Sequence, residues 1–175
     1  MIETQLEKVT DFKRKQRKTL KEITAPVSPN LDDFRSFYKE ALRTDVFVLD
    51  KIVQYLLKQK GKEIRPTLVF MSARLFGNIT SRSYVAATMI ELLHTATLIH
   101  DDVVDEANIR RGFLSINKVW KNKASVLLGD FLLSKGLLIA LDHDEYKLLK
   151  VLSKAVKSMS EGELRQFKAA RLFNM

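Results

Sequence analysis

The sequence predicts an all-α fold, a bundle of long helices in one domain that covers residues 1–175. Only six glycines and three prolines occur among the 175 residues, too few for the many turns that a fold of short strands requires. Hydrophobic residues make up 46% of the chain, which is enough for a buried core. No internal repeat, low-complexity segment or linker divides the chain into separate units.

Turn and capping residues delimit the predicted helices. Pro26 and Pro29 end the first, Asn30 is the predicted N-cap of the second, and Gly77 ends the fourth. In chain order we predict helices over roughly residues 3–23, 31–42 and 45–59, then one with Pro66 in its first turn, then 81–107, 116–142 and 144–173.

The fifth predicted helix, Ser81 to about Ala107, is apolar on nearly every face until its C-terminal end. Such a helix belongs at the centre of a bundle, and its polar end is expected to open on a cavity. The segment NIRRGFLS that follows it is predicted to be a loop.

Composition excludes several classes of protein. The chain has no cysteine, which excludes disulfides, zinc–thiolate sites and cysteine catalysis and favours a cytoplasmic setting. The N-terminus lacks the apolar core of a signal peptide. The apolar stretches 85–99 and 126–141 are interrupted by charged residues or histidine, so we expect a soluble protein without a membrane span.

A net charge of +9 is concentrated in the basic segment 13–21. A solvated helical face explains it most simply, and peripheral contact with an anionic membrane or a partner is left open. We expect no nucleic-acid partner, because no aromatic residues are interleaved with these charges.

Four carboxylates lie within six residues near the end of the fifth predicted helix: Asp101, Asp102, Asp105 and Glu106. At 100° per residue, His94, Asp101 and Asp105 fall near one face, and Asp102 lies at its edge. Carboxylates on one helix repel each other, and Mg²⁺ is a cation that binds through one or two carboxylates and substrate phosphates. A solvated acidic helix end explains this pattern equally well.

Basic motifs lie on both sides of this helix. Arg110 and Arg111 follow it directly, where adjacent arginines can each hold an anion through two hydrogen bonds. Upstream, Lys62 and Arg65 of GKEIRP share one face at a helix start, whose free N–H groups also favour anions. Taken singly, the arginines and lysine are more simply surface charges, and His94 a core histidine.

Taken together, the motifs GKxxRP, ExxHxxxLxxDDxxDxxxxRRG, VLLGD and SEGELRQ resemble the trans-isoprenyl diphosphate synthases, or polyprenyl synthetases. The resemblance runs from about residue 25 to the last residue and is strongest with medium- and long-chain members, such as octaprenyl diphosphate synthases. The matching residues are Gly61, Lys62, Arg65, Pro66, Glu91, His94, Asp101, Asp102, Asp105, Arg110, Arg111, Gly112, Gly129, Asp130, Glu161, Gly162, Glu163 and Gln166.

The resemblance implies a helical bundle around a deep cavity, usually in a homodimer. It implies condensation of isopentenyl diphosphate with an allylic diphosphate. Asp101, Asp102 and Asp105 would hold Mg²⁺ on the allylic diphosphate, and Arg110 would bind that diphosphate too. These four are therefore the implied catalytic residues.

The resemblance also implies a second substrate site and a control of product length. Lys62, Arg65, His94 and Arg111 would bind isopentenyl diphosphate. In this family, aromatic residues just before the first aspartate motif close the cavity. Here Ala96 and Thr97 occupy those positions, so a deeper cavity is expected.

Full-length members carry a second aspartate-rich motif in a second half that this sequence lacks. We therefore expect a fragment with half of an active site, inactive by itself. The alternative is a non-catalytic partner or regulatory subunit of a full-length synthase. A terpene cyclase is disfavoured, since the implied site for a second diphosphate has no use in a cyclase.

Overall fold

The computed structural model describes residues 19–59, 61–110 and 112–173, with side chains up to residue 168. A single 3₁₀ turn, Ala25–Val27, separates the first two helices of this part of the chain. The helices are α1 (Leu20–Thr24), α2 (Ser28–Ala41), α3 (Phe47–Lys58), α4 (Ile64–Phe76), α5 (Ser81–Val104), α6 (Ile116–Asp142) and α7 (Tyr146–Phe173).

The all-α prediction is confirmed, and most predicted helix boundaries hold to within a few residues. Pro66 lies in the first turn of α4, and Gly77 is its C-cap. Helix α5 ends at Val104, one turn earlier than predicted. Of the predicted basic N-terminal helix, residues 3–18 lie outside the described residues.

Two local predictions were wrong. Asn30 does not cap α2, because the helix already begins at Ser28, where Pro29 supplies a backbone angle suited to the first turn. Asn30 instead donates a hydrogen bond through Nδ2 to the Tyr84 hydroxyl, at 2.9 Å. The predicted loop after α5 contains a short antiparallel hairpin, in which β1 (Ile109–Arg110) pairs with β2 (Phe113–Leu114).

Helix α5 lies at the centre of the bundle, as its apolar sequence predicts. It packs most extensively along α6 and also against α4 and α2. Leu92 and Ala96 are completely buried, and Ile99 is nearly so. The core around them contains Leu42 from the end of α2 and, from α6, Leu128.

By length and composition α6 meets the criteria for a membrane span, alone among the described helices. Its most apolar 18-residue window has a mean hydropathy of 1.8, and 39% of that window is buried inside the bundle. A core helix meets the same criteria. Helix α6 packs along α5 and contributes Leu128 and Leu132 to the core, so its place in the bundle accounts for the buried part of its apolar surface.

Helix α7 packs against the bundle through its first half. Leu148, Leu149 and Leu152 contact the core around Val85 and Met89. The connection before α7 is held by an ion pair, in which Arg82 donates through Nε and Nη2 to the carboxylate of buried Glu145, with Nη2 2.9 Å from Oε2.

Candidate functional site

The carboxylates at the end of α5 lie in two different environments. Asp101 and Asp105 are exposed and one turn apart, with the Asp105 N–H donating to the Asp101 carbonyl at 2.8 Å. Asp102 is only 3% exposed, since a rotation of 100° per residue carries it to the side of the helix that faces the bundle. The sequence places all three in one motif, and the fold separates them.

The β1–β2 hairpin carries Arg110 back over the end of α5. Its Nε lies 2.6 Å from Oδ1 and 2.8 Å from Oδ2 of Asp102, and its Nη2 lies 2.5 Å from Oδ1. These hydrogen bonds raise the pKa of Arg110, and the negative charges of Asp101 and Asp105 raise it further. Arg110 is therefore bound to Asp102 and lies within the electrostatic influence of the other two carboxylates.

Further hydrogen bonds fasten the hairpin to α3 and the start of α6 to the end of α5. Asn117 donates through Nδ2 to the Asp102 carbonyl at 3.0 Å, and the Ser115 hydroxyl donates to the Ala107 carbonyl at 2.5 Å. From α3, the Tyr55 hydroxyl donates to the Leu114 carbonyl at 2.8 Å. The position of Arg110 is thus set by several elements together.

His100, which precedes the aspartates, fixes the end of α5 against α6. Its Nε2 lies 3.3 Å from the Val126 carbonyl oxygen and 3.5 Å from Oδ1 of Asp130. A Cβ at Gly129 would overlap the imidazole ring, so this contact requires glycine. Sequence reasoning matched Gly129 and Asp130 to a motif but missed His100. Its position directly before the aspartates was the available signal.

The described residues among those predicted to bind isopentenyl diphosphate lie on two elements. Lys62 and Arg65 are exposed at the start of α4, and His94 is half-buried on α5. Between the first two, Glu63 has a left-handed backbone with φ of 49°. Its carboxylate binds Arg35 at 2.6 and 2.8 Å and raises the pKa of that guanidinium.

Arg111 lies outside the described residues. The convergence of the four predicted isopentenyl diphosphate ligands on one substrate therefore stays a prediction.

The two residues predicted to set product length face different surroundings. Ala96 is completely buried in the core beside Leu92 and Leu128. Thr97 is half-buried, and its hydroxyl donates to the His94 carbonyl at 2.9 Å. Their influence on product length stays a prediction.

Two cavities flank α5. The first, of about 610 Å³, lies between α2, α3, α5 and the hairpin and is lined by Asp102, Arg110 and Glu91, among others. The second, of about 340 Å³, is apolar and lies between α5, α6 and α7, with Met89 and Leu93 among its lining residues. Ala96 and Thr97 line neither of them.

The exposed carboxylates at the end of α5 are of the type that can bind a divalent metal ion. Within the described ranges no three histidine, aspartate or glutamate side chains converge into a cage for a metal. Mg²⁺ commonly binds through only one or two carboxylates, with water and substrate phosphates as its other ligands. Asp101 and Asp105, exposed on adjoining turns, offer such a pair of carboxylates. The carboxylate of Asp102, the third predicted metal ligand, is paired with Arg110, and its role as a ligand stays a prediction.

The C-terminal motif SEGELRQ lies on α7. Glu161, Glu163 and Gln166 are exposed, and Glu161 pairs with Lys157 at 3.6 Å on the same helix. The position of this motif next to a substrate stays a prediction of the resemblance.

Characterised proteins that are similar in sequence include octaprenyl diphosphate synthases from two bacteria. Octaprenyl diphosphate synthase from Haemophilus influenzae is 33% identical over 155 residues, which are 89% of this chain and 47% of that protein. The Escherichia coli octaprenyl diphosphate synthase is 39% identical over 127 residues, which are 73% of this chain and 39% of that protein. The chain thus spans less than half the length of these relatives.

Solved structures show the same fold. A polyprenyl synthase from Caulobacter crescentus, solved with calcium and isoprenyl diphosphate, has a TM-score of 0.79 and 29% identity, over 85% of this chain and 46% of that one. A decaprenyl diphosphate synthase from Rhodobacter capsulatus has a TM-score of 0.77 and 30% identity, over 83% of this chain and 45% of that one. The bundle is therefore part of an isoprenoid synthase fold.

The family model of the polyprenyl synthetases matches residues 46–174, from the start of α3 to the end of α7. This range includes the acidic end of α5 and the hairpin with Arg110. With the motifs, the fold and the relatives in agreement, the chain belongs to the polyprenyl synthetase family.

Proposed function

We propose that this protein is a prenyltransferase that condenses isopentenyl diphosphate with an allylic diphosphate, and that this chain supplies the first half of its active site. One observation supports this most directly. Asp101 and Asp105 are exposed at the end of α5, and their negative charges act on Arg110. This supports the proposal, because carboxylates of this kind can bind Mg²⁺ and a guanidinium can bind phosphate. The named relatives are octaprenyl diphosphate synthases, and this chain spans less than half of each.

In this proposal the allylic diphosphate binds at the end of α5. Asp101 and Asp105 would hold Mg²⁺, whose charge would favour departure of the diphosphate and ionisation of the allylic C–O bond. Arg110 directs Nε and Nη2 to Asp102. Because a guanidinium has five N–H donors, those on Nη1 are available for a phosphate oxygen. The arginine can then bind substrate without releasing Asp102.

Isopentenyl diphosphate would bind to Lys62, Arg65, His94 and Arg111. The first two are exposed at the start of α4, where helix N–H groups also favour an anion. The double bond of isopentenyl diphosphate would attack the allylic cation, and the departing diphosphate would accept the released proton. The reaction then needs no protein base, and the main task of these residues is to orient the second substrate.

An apolar surface is also needed, because the growing prenyl chain must be kept from water. The cavity of about 340 Å³ between α5, α6 and α7 has such a lining, including Leu93, Leu152 and Val156. We propose that it accepts part of the prenyl chain. The absence of aromatic side chains at Ala96 and Thr97 fits a long product.

We further propose that the protein is cytoplasmic and forms a homodimer through its central helices, with α6 among them. Several apolar side chains of α6, including Leu127 and Leu138, are about half exposed, and contiguous exposed apolar surface favours association. Light scattering should give the mass of a dimer or larger species, whereas a monomer would contradict this proposal.

We also propose peripheral contact with a membrane, through the product or the basic N-terminal segment. Sedimentation with anionic vesicles tests this contact.

A second candidate is a non-catalytic partner that regulates a full-length synthase. The chain spans 39% of the Escherichia coli octaprenyl diphosphate synthase, and this coverage does not distinguish the two roles. Such a partner would change the rate or product of the synthase without needing Asp101. A prenyltransferase half-site would depend on that residue.

Incorporation of labelled isopentenyl diphosphate into prenyl products decides between the two. The chain should be assayed with an allylic primer, with Mg²⁺ or with a chelator. It should be tested alone, with the C-terminal half of a relative, and with an intact synthase. We expect no product from the chain alone, and metal-dependent product with the complementing half that is lost in Asp101→Asn. Stimulation of the intact synthase by both the wild-type chain and Asp101→Asn would support the partner role instead.

A further inference from the structure

We infer that Arg35 on α2 is a positioning residue for the start of α4, where the proposed function places the diphosphate of isopentenyl diphosphate. Arg35 binds the carboxylate of Glu63 and so holds a left-handed turn at that residue. The turn lies between Lys62 and Arg65, two of the proposed ligands of the second substrate. Arg35 and Glu63 both line the cavity of about 610 Å³. Because the ligand is isopentenyl diphosphate, this role rests on the proposed function.

The ion pair of Arg35 and Glu63 joins residues that are 28 positions apart in the chain. Nε of Arg35 lies 2.8 Å from Oε1 of Glu63, and Nη2 lies 2.6 Å from Oε2. Two parallel hydrogen bonds of this kind fix the direction of a carboxylate as well as its distance. Asp32, one turn earlier on α2, accepts a further hydrogen bond from Nη1. The guanidinium is therefore held on one side by its own helix and directed to Glu63 on the other.

The backbone of Glu63 has a conformation that residues other than glycine rarely adopt. Its φ of 49° and ψ of 35° lie in the left-handed region. Its carbonyl accepts hydrogen bonds from the N–H of buried Thr67 at 3.0 Å and from the Thr67 hydroxyl at 2.7 Å. Glu63 is thus fastened to α4 by its main chain and to α2 by its side chain. Because its backbone angles relate the residues on its two sides, this turn sets the directions in which Lys62 and Arg65 leave the chain.

The same contact keeps the Glu63 carboxylate away from the N-terminus of α4. Glu63 is the N-cap residue, and an acidic N-cap residue usually has an extended backbone and accepts a hydrogen bond from an N–H of the first turn. Within the described residues Glu63 makes no such bond, and its carboxylate is bound to Arg35 instead. Without Arg35, we expect Glu63 to relax to an extended backbone and to cap the helix. Its negative charge would then occupy the helix end that is proposed to bind the diphosphate.

Binding of isopentenyl diphosphate to the 175-residue chain, measured by calorimetry, tests this role. A chelator is present, so that metal-dependent binding at the end of α5 does not contribute. Arg35→Gln should weaken binding about tenfold, because the released carboxylate of Glu63 competes with the diphosphate. Adding Glu63→Gly should restore the affinity to within threefold of wild type, since glycine adopts the left-handed turn without support and has no carboxylate. Adding Glu63→Ala instead should restore less, because alanine disfavours that turn.

Arg43→Gln is the matched control. Arg43 follows α2 and pairs with Glu40 in an exposed contact, so its replacement removes the same charge without touching the start of α4. The affinity of this variant should stay within twofold of wild type. An equal loss in Arg43→Gln and Arg35→Gln would show that binding follows the total charge, and would overturn the inference. Wild-type affinity in Arg35→Gln, or no better recovery with Glu63→Gly than with Glu63→Ala, would overturn it too.

The conformation of Glu63 can be measured without any ligand. In NMR spectra a residue with positive φ gives a strong NOE between its own N–H and Hα protons, because these two protons lie unusually close. Glu63 should give this strong NOE in the wild-type chain and in Arg43→Gln, and a weak one in Arg35→Gln. A strong NOE in Arg35→Gln would show that the turn does not need Arg35, and the inference would fail. If the wild-type chain binds no isopentenyl diphosphate, that result counts against the proposed half-site, and the NOE still decides whether Arg35 holds the turn.

Discussion

The two parts of α5 differ in what determines their side chains. From Val85 to Ile99 the helix is packed on several sides, and Leu92 and Ala96 are completely buried. From Asp101 to Asp105 the same helix exposes two of its three aspartates. Packing explains the side chains of the first part. It does not explain the exposed aspartates of the second part, which are the residues of the proposed metal site.

The acidic end of α5 is also unfavourable for the stability of the folded chain, which strengthens the difference between the two parts of the helix. Asp101 and Asp105 are like charges on adjoining turns, and they lie at the end of the helix where the dipole disfavours negative charge. Neither arrangement stabilises the folded chain. Asp102 lies at the boundary, because it is charged like its neighbours and buried like the core. The ion pair with Arg110 offsets the free-energy cost of burying the charge of Asp102.

The largest loss of stability is expected in the packed part of α5. Leu92→Ala removes a completely buried side chain and should lower the free energy of unfolding by about 3 kcal/mol, as measured by urea denaturation followed by circular dichroism. Leu93→Ala is the matched control, because Leu93 is half-buried and lines the apolar cavity. Equal losses in the two variants would show that this cavity is filled and packed like the core.

Arg110→Gln, at the boundary between the two parts of α5, should lower the free energy of unfolding by nearly as much as Leu92→Ala. It leaves the Asp102 carboxylate, which is 4% exposed, without its charged partner, for which we expect a loss of about 2–3 kcal/mol. Arg43→Gln, which breaks an exposed pair with Glu40, should change the free energy of unfolding little in the same denaturation assay. A similarly small effect of Arg110→Gln would mean that water reaches Asp102.

Ala96→Phe tests whether position 96 belongs to the core or to an elongation cavity. Because Ala96 is fully buried against Leu92 and Leu128, the added ring should overpack the core and cost about 2 kcal/mol. Thr97→Val, at a half-buried neighbour, should stay within about 0.5 kcal/mol. An undiminished unfolding midpoint in Ala96→Phe would reveal open space and support control of product length from this position.

Alanine substitutions at two glycines of α6 test how closely α5 and α6 approach each other at two points. A Cβ at Gly136 would meet Leu92 at an ordinary 3.8 Å, whereas a Cβ at Gly129 would overlap the His100 ring. Alanine forms helices better than glycine at both positions, but at position 129 its Cβ would overlap His100. The free energy of unfolding should therefore be higher in Gly136→Ala than in Gly129→Ala by about 1 kcal/mol or more. Equal thermal midpoints for the two variants would show that His100 moves aside freely.

The smallest effect on stability is expected at the exposed acidic end. Asp101→Asn should change the free energy of unfolding by no more than about 0.5 kcal/mol, since it removes a charge that the helix dipole disfavours. The same variant should lose metal-dependent binding of pyrophosphate in calorimetry. A large loss of stability would give Asp101 a structural role and remove the contrast between the two parts of α5.

The sequence alone determined much of this protein. Few turn residues and long apolar segments predicted the helical bundle, and Pro66 and Gly77 marked the limits of α4. The spacing of the acidic and basic motifs identified the family, because that spacing is a property of the chain itself. Local signals were less reliable where two of them competed, as at Asn30, where Pro29 had already started the helix.

Only the tertiary structure decided which aspartate is buried and what covers it. Helical periodicity places Asp102 about 100° away from Asp101, but it does not show that a hairpin returns Arg110 to that side of α5. In the same way, the contact of His100 with Gly129 joins two helices that are 29 positions apart at this point. Such contacts depend on how separate elements pack, so the three aspartates of one motif become distinguishable only once the bundle has formed.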